Sequence, residues 1–250
     1  MKKKYWYLFL SMGLLAASGL FYGVHYIFFH DLHHIIIYLV GDIAFLPLEM
    51  LLVTLVLHKL LDFRERRERK RKRSMIMGTF FSEIGTLFLT NYKIFDEKHD
   101  ALGAGLQVNN SWTGTDFQNA LRLVKTHTFC IRPERIDLSA FHLSLKTKHD
   151  FLIRMMENPV LTEHENCTDL LHAVYHLHDE LDLRHSLTSL SREDLSHLSG
   201  DITRVYKHFF TEWLLHLRHQ QTDYPYLFSL SVRMNVFRPD PGAEIRAAAG

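Results

Sequence analysis

Two long apolar runs near the N-terminus constrain this chain more than any other feature. The first extends from Tyr5 to Phe29 and the second from Ile35 to Leu61. Each exceeds the roughly 20 residues that cross a bilayer core of about 30 Å at about 1.5 Å per residue. Lipid offers backbone amides no partner, so such segments are expected to be helical. A secretory leader is the rival reading, because Lys2 to Lys4 precede the first run and Ala16-Ala17-Ser18 offers small residues. A leader's apolar region is about 7–15 residues long. This run continues through Leu20, Val24, Ile27 and Phe29, which favours a retained span.

A basic cluster closes the second run. Residues 64 to 73 hold eight basic and two acidic side chains. The basic members are Arg64, Arg66, Arg67, Arg69, Lys70, Arg71, Lys72 and Arg73. Basic residues stay on the cytoplasmic side of a membrane. Lys2 to Lys4 and this cluster therefore place both ends of a hairpin in the cytoplasm, with His30-Asp31-Leu32-His33-His34 as the outer turn. The cluster is expected to touch anionic lipid headgroups. Directly after a membrane span, it does not read as a nucleic-acid signal.

Inside the hairpin, Gly19 and Gly23 form a small-xxx-small pair, suited to close helix approach within the chain or between copies. The second span carries Asp42, Pro47 and Glu49. Proline removes a backbone donor and favours a kink. A carboxylate near mid-bilayer costs on the order of 3 kcal/mol, so Asp42 and Glu49 need a reason to be there. One reading is an ion path or a contact between protomers. The plainer one is a protonated Glu49 hydrogen-bonded to Ser18 or to freed backbone, with Asp42 near the headgroups.

Beyond the cluster the charge changes sign. Residues 74 to 250 hold 17 Lys and Arg against 22 Asp and Glu, hence −5, although the whole chain is +1. An acidic domain argues against nucleic acid as partner. The hydrophobic spacing is helical throughout. Residues 74–90 read as an amphipathic helix whose apolar face lies on the membrane or on the bundle, and 96–114 as a loop or boundary. Further helices are expected from Thr115 to Thr128, Pro133 to Glu157, Asn166 to Ser186 and Ser199 to Gln221. The fold class is thus all-α, a transmembrane two-helix hairpin followed by a cytoplasmic helical bundle. Its parts are a hairpin at 1–61 (spans about 5–29 and 35–61), a basic juxtamembrane segment and amphipathic helix at 62–95, a helical domain at 96–237 and a flexible tail at 238–250.

Chemistry is hard to find in the sequence. The two cysteines, Cys130 and Cys167, lack the spacing of a thiolate metal site. Eighteen histidines are present. One helix carries Asp169, His172, His176 and Asp179, and another carries Asp201, His208, Glu212, His216 and His219. Helix bundles build metal sites from such residues, but the paired Glu-x-x-His motifs of di-iron bundles are missing. The histidines read as a solvated polar face, so no metal ligand, no cofactor and no catalytic residue is assigned.

Several stretches resemble an uncharacterised bacterial and archaeal family of two-span membrane proteins. They include Gly41-Asp-Ile-Ala-Phe-Leu-Pro-Leu-Glu49, Phe80-Phe-Ser-Glu-Ile-Gly85, Asp169-Leu-Leu-His-Ala-Val-Tyr-His-Leu177, Gly200-Asp-Ile-Thr-Arg-Val-Tyr206 and Tyr224-Pro-Tyr-Leu-Phe-Ser-Leu230. The resemblance implies an integral membrane protein with a helical cytoplasmic domain and transfers no site roles. The expected function is a membrane-anchored interaction or sensory module of the inner membrane, without catalysis. Its expected partners are the lipid bilayer, further copies of the chain and a cytoplasmic protein. An oligomeric channel using the intramembrane carboxylates is the alternative, and a metal-dependent helical enzyme comes third.

Overall fold

The computed structural model describes residues 2–242 and 244. It divides into two compact units, residues 1–66 and 67–250. Among the described residues every regular element is a helix, and the sole strand-like pairing is an isolated bridge between Asp96 and Ile131.

The first unit holds α1 (Lys2–Phe29) and the beginning of α2 (Leu32–Phe80). His30 and Asp31 make the turn between them. His30 takes a φ of 48°, a left-handed conformation uncommon for side chains other than Gly, Asn, Asp and His. Asp31 Oδ1 accepts from the His34 N–H at 3.0 Å, which caps an otherwise unpaired donor in the first turn of α2. Both helices are long and apolar enough to cross a membrane, and their apolar stretches are unburied. Leu15 is 73 % exposed and Phe28 77 %. A Cβ added at Gly19 or Gly23 would meet nothing within 4 Å, so the small-residue pair does not serve packing within this chain. α2 continues past Pro47 without a break.

In the second unit the last turns of α2 lead into a single π-helical turn, Phe81–Gly85, and then α3 (Thr86–Phe95). Phe80, Ile84, Phe88, Tyr92 and Phe95 are fully buried, so the apolar face of residues 74–90, expected as an amphipathic helix, packs into the core of this unit, while Met75, Ser82 and Glu83 stay exposed. Next come α4 (His99–Ala104) and α5 (Gly114–Thr126). The stretch 96–114, expected as a loop, therefore contains a short helix, anchored by the buried Leu102, Leu106 and Val108. The cap of α5 is Thr113 and not the expected Thr115, because Thr113 and Asp116 form a reciprocal capping box.

The helix expected from Pro133 to Glu157 is three elements. These are a 3₁₀ turn at Pro133–Arg135, α6 (Leu138–Lys146), capped by Asp137, and α7 (His149–Met156). A single turn, α8 (Pro159–Thr162), then precedes α9 (Glu165–Asp182). The longest helix of the unit, α10 (Arg192–Asp223), starts well before the expected Ser199, because Ser191 accepts from the Asp194 N–H. The segment at Tyr224 to Leu230 is part of α11 (Pro225–Arg233). The expected flexible tail at 238–250 lies partly outside the described residues.

The core is one aromatic-rich cluster. α10 supplies Tyr206, Phe209, Phe210 and Trp213, and α3 supplies Phe88, Tyr92 and Phe95. Tyr206 packs 5.0 Å from Tyr92 and donates to the Phe88 carbonyl at 3.0 Å, so its hydroxyl is satisfied at full burial. Beside it, Asp96 is wholly buried and accepts from Tyr92 Oη, His127 Nε2, the Lys98 N–H and the Cys130 N–H, at 2.8 to 3.0 Å.

Candidate functional site

The functional side chains of the second unit gather along α9 and α10. α10 carries buried polar groups on the edge of its apolar face, since positions three and four apart stack on one side of a helix. Asp201, Glu212, His216 and Gln220 are all buried. The expected place of His216 on a solvated polar face is thus corrected. The apolar arc of α10 is wide enough to draw its flanks beneath α2 and α9. On α9, His172 and His176 are exposed, while His178 is buried.

A cleft of ≈ 390 Å³ opens in this region. Lys70, Arg73 and Met77 line it from α2, His164 and Asn166 from the start of α9, and Glu212, His216, Arg218 and His219 from α10. At its inner wall the Cys167 thiol donates to Glu212 Oε2 at 3.3 Å. Glu212 Oε1 and His164 Nδ1 are buried without a hydrogen-bond partner. Burial, and then the neighbouring Glu212, hold the Cys167 thiol far above its ordinary range, so it is a protonated donor here and not a nucleophile.

The histidines of the cleft are biased to the neutral form. Burial and the nearby His219 push His216 down to about 4. Burial, then Arg73, lowers His164, and burial with Lys70 and Arg73 lowers His219 against the pull of Asp223. The tautomer of His216 follows from its neighbours. Ser231 Oγ donates to Gln220 Oε1 at 2.8 Å, which orients the amide so that Gln220 Nε2 donates to His216 Nε2 at 2.9 Å. The proton of His216 is then on Nδ1, a buried donor without a partner. The cleft therefore offers unused donors and acceptors beside fixed positive charge, a composition that suits a small polar or anionic ligand.

A second constellation lies where α9 and α10 run together. His176 and Glu180 are one turn apart on α9, and His197 and Asp201 one turn apart on α10. Their ligand-capable atoms all fall within 4.8 Å of one another. The pairs are visible in sequence at four-residue spacing. Their mutual approach depends on the register of the two helices and is not.

The residues singled out from sequence are distributed over both units. Asp42, Pro47 and Glu49 are exposed on α2 in the first unit, and no hydrogen bond joins Glu49 to Ser18, which instead lines a space with Phe21, Tyr22, Ile35 and Tyr38. Arg64 and Arg66 fall in the first unit and Arg67 to Arg73 in the second. Arg64, Arg66, Arg67 and Lys72 are exposed. Arg69 approaches Glu163 at 3.8 Å, Arg71 Nε donates to Tyr224 Oη at 2.9 Å, and Lys70 and Arg73 line the cleft. Several of the expected headgroup contacts thus hold the protein's own residues.

Comparison with known proteins gives three findings. The family model described as "MJ1433, N-terminal helical domain" matches residues 2–61, and "Uncharacterized protein MJ1433, C-terminal helical domain" matches residues 69–233. The Methanocaldococcus jannaschii protein named "Uncharacterized protein MJ1433" is 37 % identical over 237 residues, covering 95 % of each chain. No solved structure matches.

Proposed function

The chain belongs to the MJ1433 family of paired helical domains, and from that premise we propose that it is a membrane-anchored sensory or interaction module. One observation carries the proposal: the apolar stretches of α1 and α2 are unburied in their own unit. So much contiguous apolar surface is stable in lipid and costly in water. On this reading the hairpin spans the inner membrane, both ends are cytoplasmic, and the basic stretch meets anionic headgroups through its exposed side chains. The cleft between α2, α9 and α10 is the receiving site, open to a small polar ligand or to a side chain of a cytoplasmic partner. The same helix that carries Lys70 and Arg73 carries the second span, so an event at the cleft is coupled to the membrane through one continuous element.

Self-association is part of the proposal. Gly19 and Gly23 are uncovered within the chain, and Glu49 is exposed on an apolar helix. A second copy would bury both. The channel reading uses the same residues, and reconstitution separates the two. The chain is expected to stay with membranes through alkaline extraction, to cross-link as an oligomer in liposomes, and to pass no cations. Glu49→Gln keeps a donor and acceptor and is expected to leave the oligomer intact. Release by alkali would refute the anchor, and cation flux that Glu49→Gln abolishes would establish the channel instead.

A further inference from the structure

We propose that His176, Glu180, His197 and Asp201 bind a divalent transition-metal ion of the zinc class, which clips α9 to α10. The proposal is independent of the membrane reading.

The geometry is that of a ligand shell. His176 Nε2 lies 3.9 Å from Glu180 Oε1 and 3.5 Å from Asp201 Oδ1. His197 Nε2 lies 3.6 Å from Glu180 Oε1 and 3.3 Å from Asp201 Oδ2. A hydrogen-bonded imidazole and carboxylate would be closer, at about 2.7–2.9 Å. Ligand bonds of about 2.0–2.2 Å around a tetrahedral ion separate neighbouring ligand atoms by about 3.3–3.6 Å. With Asp201 Oδ2 as its ligand atom, the 3.6 and 3.3 Å separations match the second figure, and the 3.9 Å one needs only a small side-chain adjustment. Octahedral bonds of about 2.1 Å would bring neighbours to about 3.0 Å, closer than these imidazole–carboxylate separations.

Independent support comes from Asp201. Its side chain is 3 % exposed, and Oδ2 is buried with no hydrogen-bond partner, although it points into the cluster. An unpaired carboxylate oxygen at that depth is costly, and an ion would satisfy it. The other carboxylate oxygens are already held from outside. Arg204 Nη1 donates to Asp201 Oδ1 at 2.9 Å, and Arg184 Nη1 to Glu180 Oε2 at 2.6 Å. Outer partners of this kind fix ligating carboxylates in place.

The donor set indicates both the metal and its role. Two imidazoles and two carboxylates without sulfur suit zinc better than copper(I). Four protein ligands leave no open position, which is the pattern of a structural and not a catalytic site. The ion would join the end of α9 to the beginning of α10 across the 183–191 connection, with half-exposed imidazoles giving it a route in. The group His164, Cys167 and Glu212 is the weaker candidate, because its thiol must first lose a proton that its burial retains.

The test uses the purified full chain in mild detergent, stripped by a chelator and titrated with Zn²⁺ by calorimetry and with Co²⁺ by visible absorption. One ion per chain is expected, with a tetrahedral Co²⁺ spectrum lacking a thiolate band and a raised melting temperature. His176→Ala and His197→Ala should each weaken binding by at least the roughly 10–100-fold that loss of an outer partner costs. Arg204→Gln should weaken it by about 10-fold. Because both histidines are half-exposed, the metal-free melting temperature of their variants should not change. Absence of stoichiometric uptake, or affinity unchanged in both histidine variants, would overturn the proposal. So would a thiolate band that Cys167→Ser removes, which would place the ion in the cleft.

Discussion

Replacing Asp96 with alanine is expected to destabilise the second unit by about 3–5 kcal/mol, the cost of removing one partner from a buried charged network. Four donors converge on this carboxylate at full burial, and alanine would leave all four unpaired. The loss would be felt across the fold, since the network ties the end of α3 to the segment around Cys130 and to His127 beyond α5. Burial alone would raise the pKa of Asp96. The hydrogen bonds from His127, the Cys130 and Lys98 N–H groups and Tyr92 outweigh it, and the net shift is downward. A carboxylate with a lowered folded pKa stabilises above its unfolded value of about 4 and loses that contribution as pH falls through the folded value. Wild-type stability should therefore drop steeply below pH 4, and Asp96→Ala should flatten that limb. Urea unfolding with an unchanged slope measures both effects. A loss below 1 kcal/mol at neutral pH would show that the network is not holding these elements.

The second large effect is expected at Phe209. Its ring is fully buried, 5.5 Å from Phe81, 5.8 Å from Phe88 and 5.5 Å from Phe210. Phe209→Ala should cost about 3–5 kcal/mol, from lost transfer energy and from the cavity left among rings that cannot all relax into it. The π-helical turn makes relaxation harder. Gly85 sits against Phe81, where an added Cβ would lie 3.1 Å from the ring, so the Phe81 side has little room to move. By contrast Leu183→Ala, at a side chain 81 % exposed, should change stability by less than about 0.5 kcal/mol. Thermal melts of the three proteins order them directly. A Phe209→Ala variant as stable as Leu183→Ala would mean that the core is not organised around α10.

The long apolar runs were legible because length and composition alone specify a helix pair. Helix ends were legible only where the correct cap was chosen. Ser191 and Asp194 carry the start of α10, and Thr113 and Asp116 the start of α5, but nearby Ser199 and Thr115 compete on the same chemistry. The break between α6 and α7 was hidden for a physical reason. Leu138, Phe141, Leu145, Leu152 and Met155 are all buried, and their spacing continues one helical stripe through the interruption at Thr147-Lys148. The candidate sites were hidden more deeply. His176 with Glu180 and His197 with Asp201 are ordinary four-residue pairs, each readable as a solvated face. Only the register of α9 against α10 brings His176 within 3.5 Å of Asp201 Oδ1 and both pairs into one group. The cleft likewise depends on Lys70 and Arg73, which the sequence pattern assigns to membrane topology and headgroup contact.

Membrane anchoring with both ends on the cytoplasmic side is the centre of this account, and site-specific thiol labelling tests it most directly. Cys167 is buried, so a Cys130→Ser background leaves little native reactivity. Two single cysteines are then introduced, His33→Cys beside the turn and Lys72→Cys in the exposed basic stretch. In intact spheroplasts a membrane-impermeant maleimide should label His33→Cys alone, and Lys72→Cys should react only after the membrane is opened. Labelling of Lys72→Cys in intact spheroplasts, or protection of both positions with the chain recovered in the soluble fraction, would contradict it.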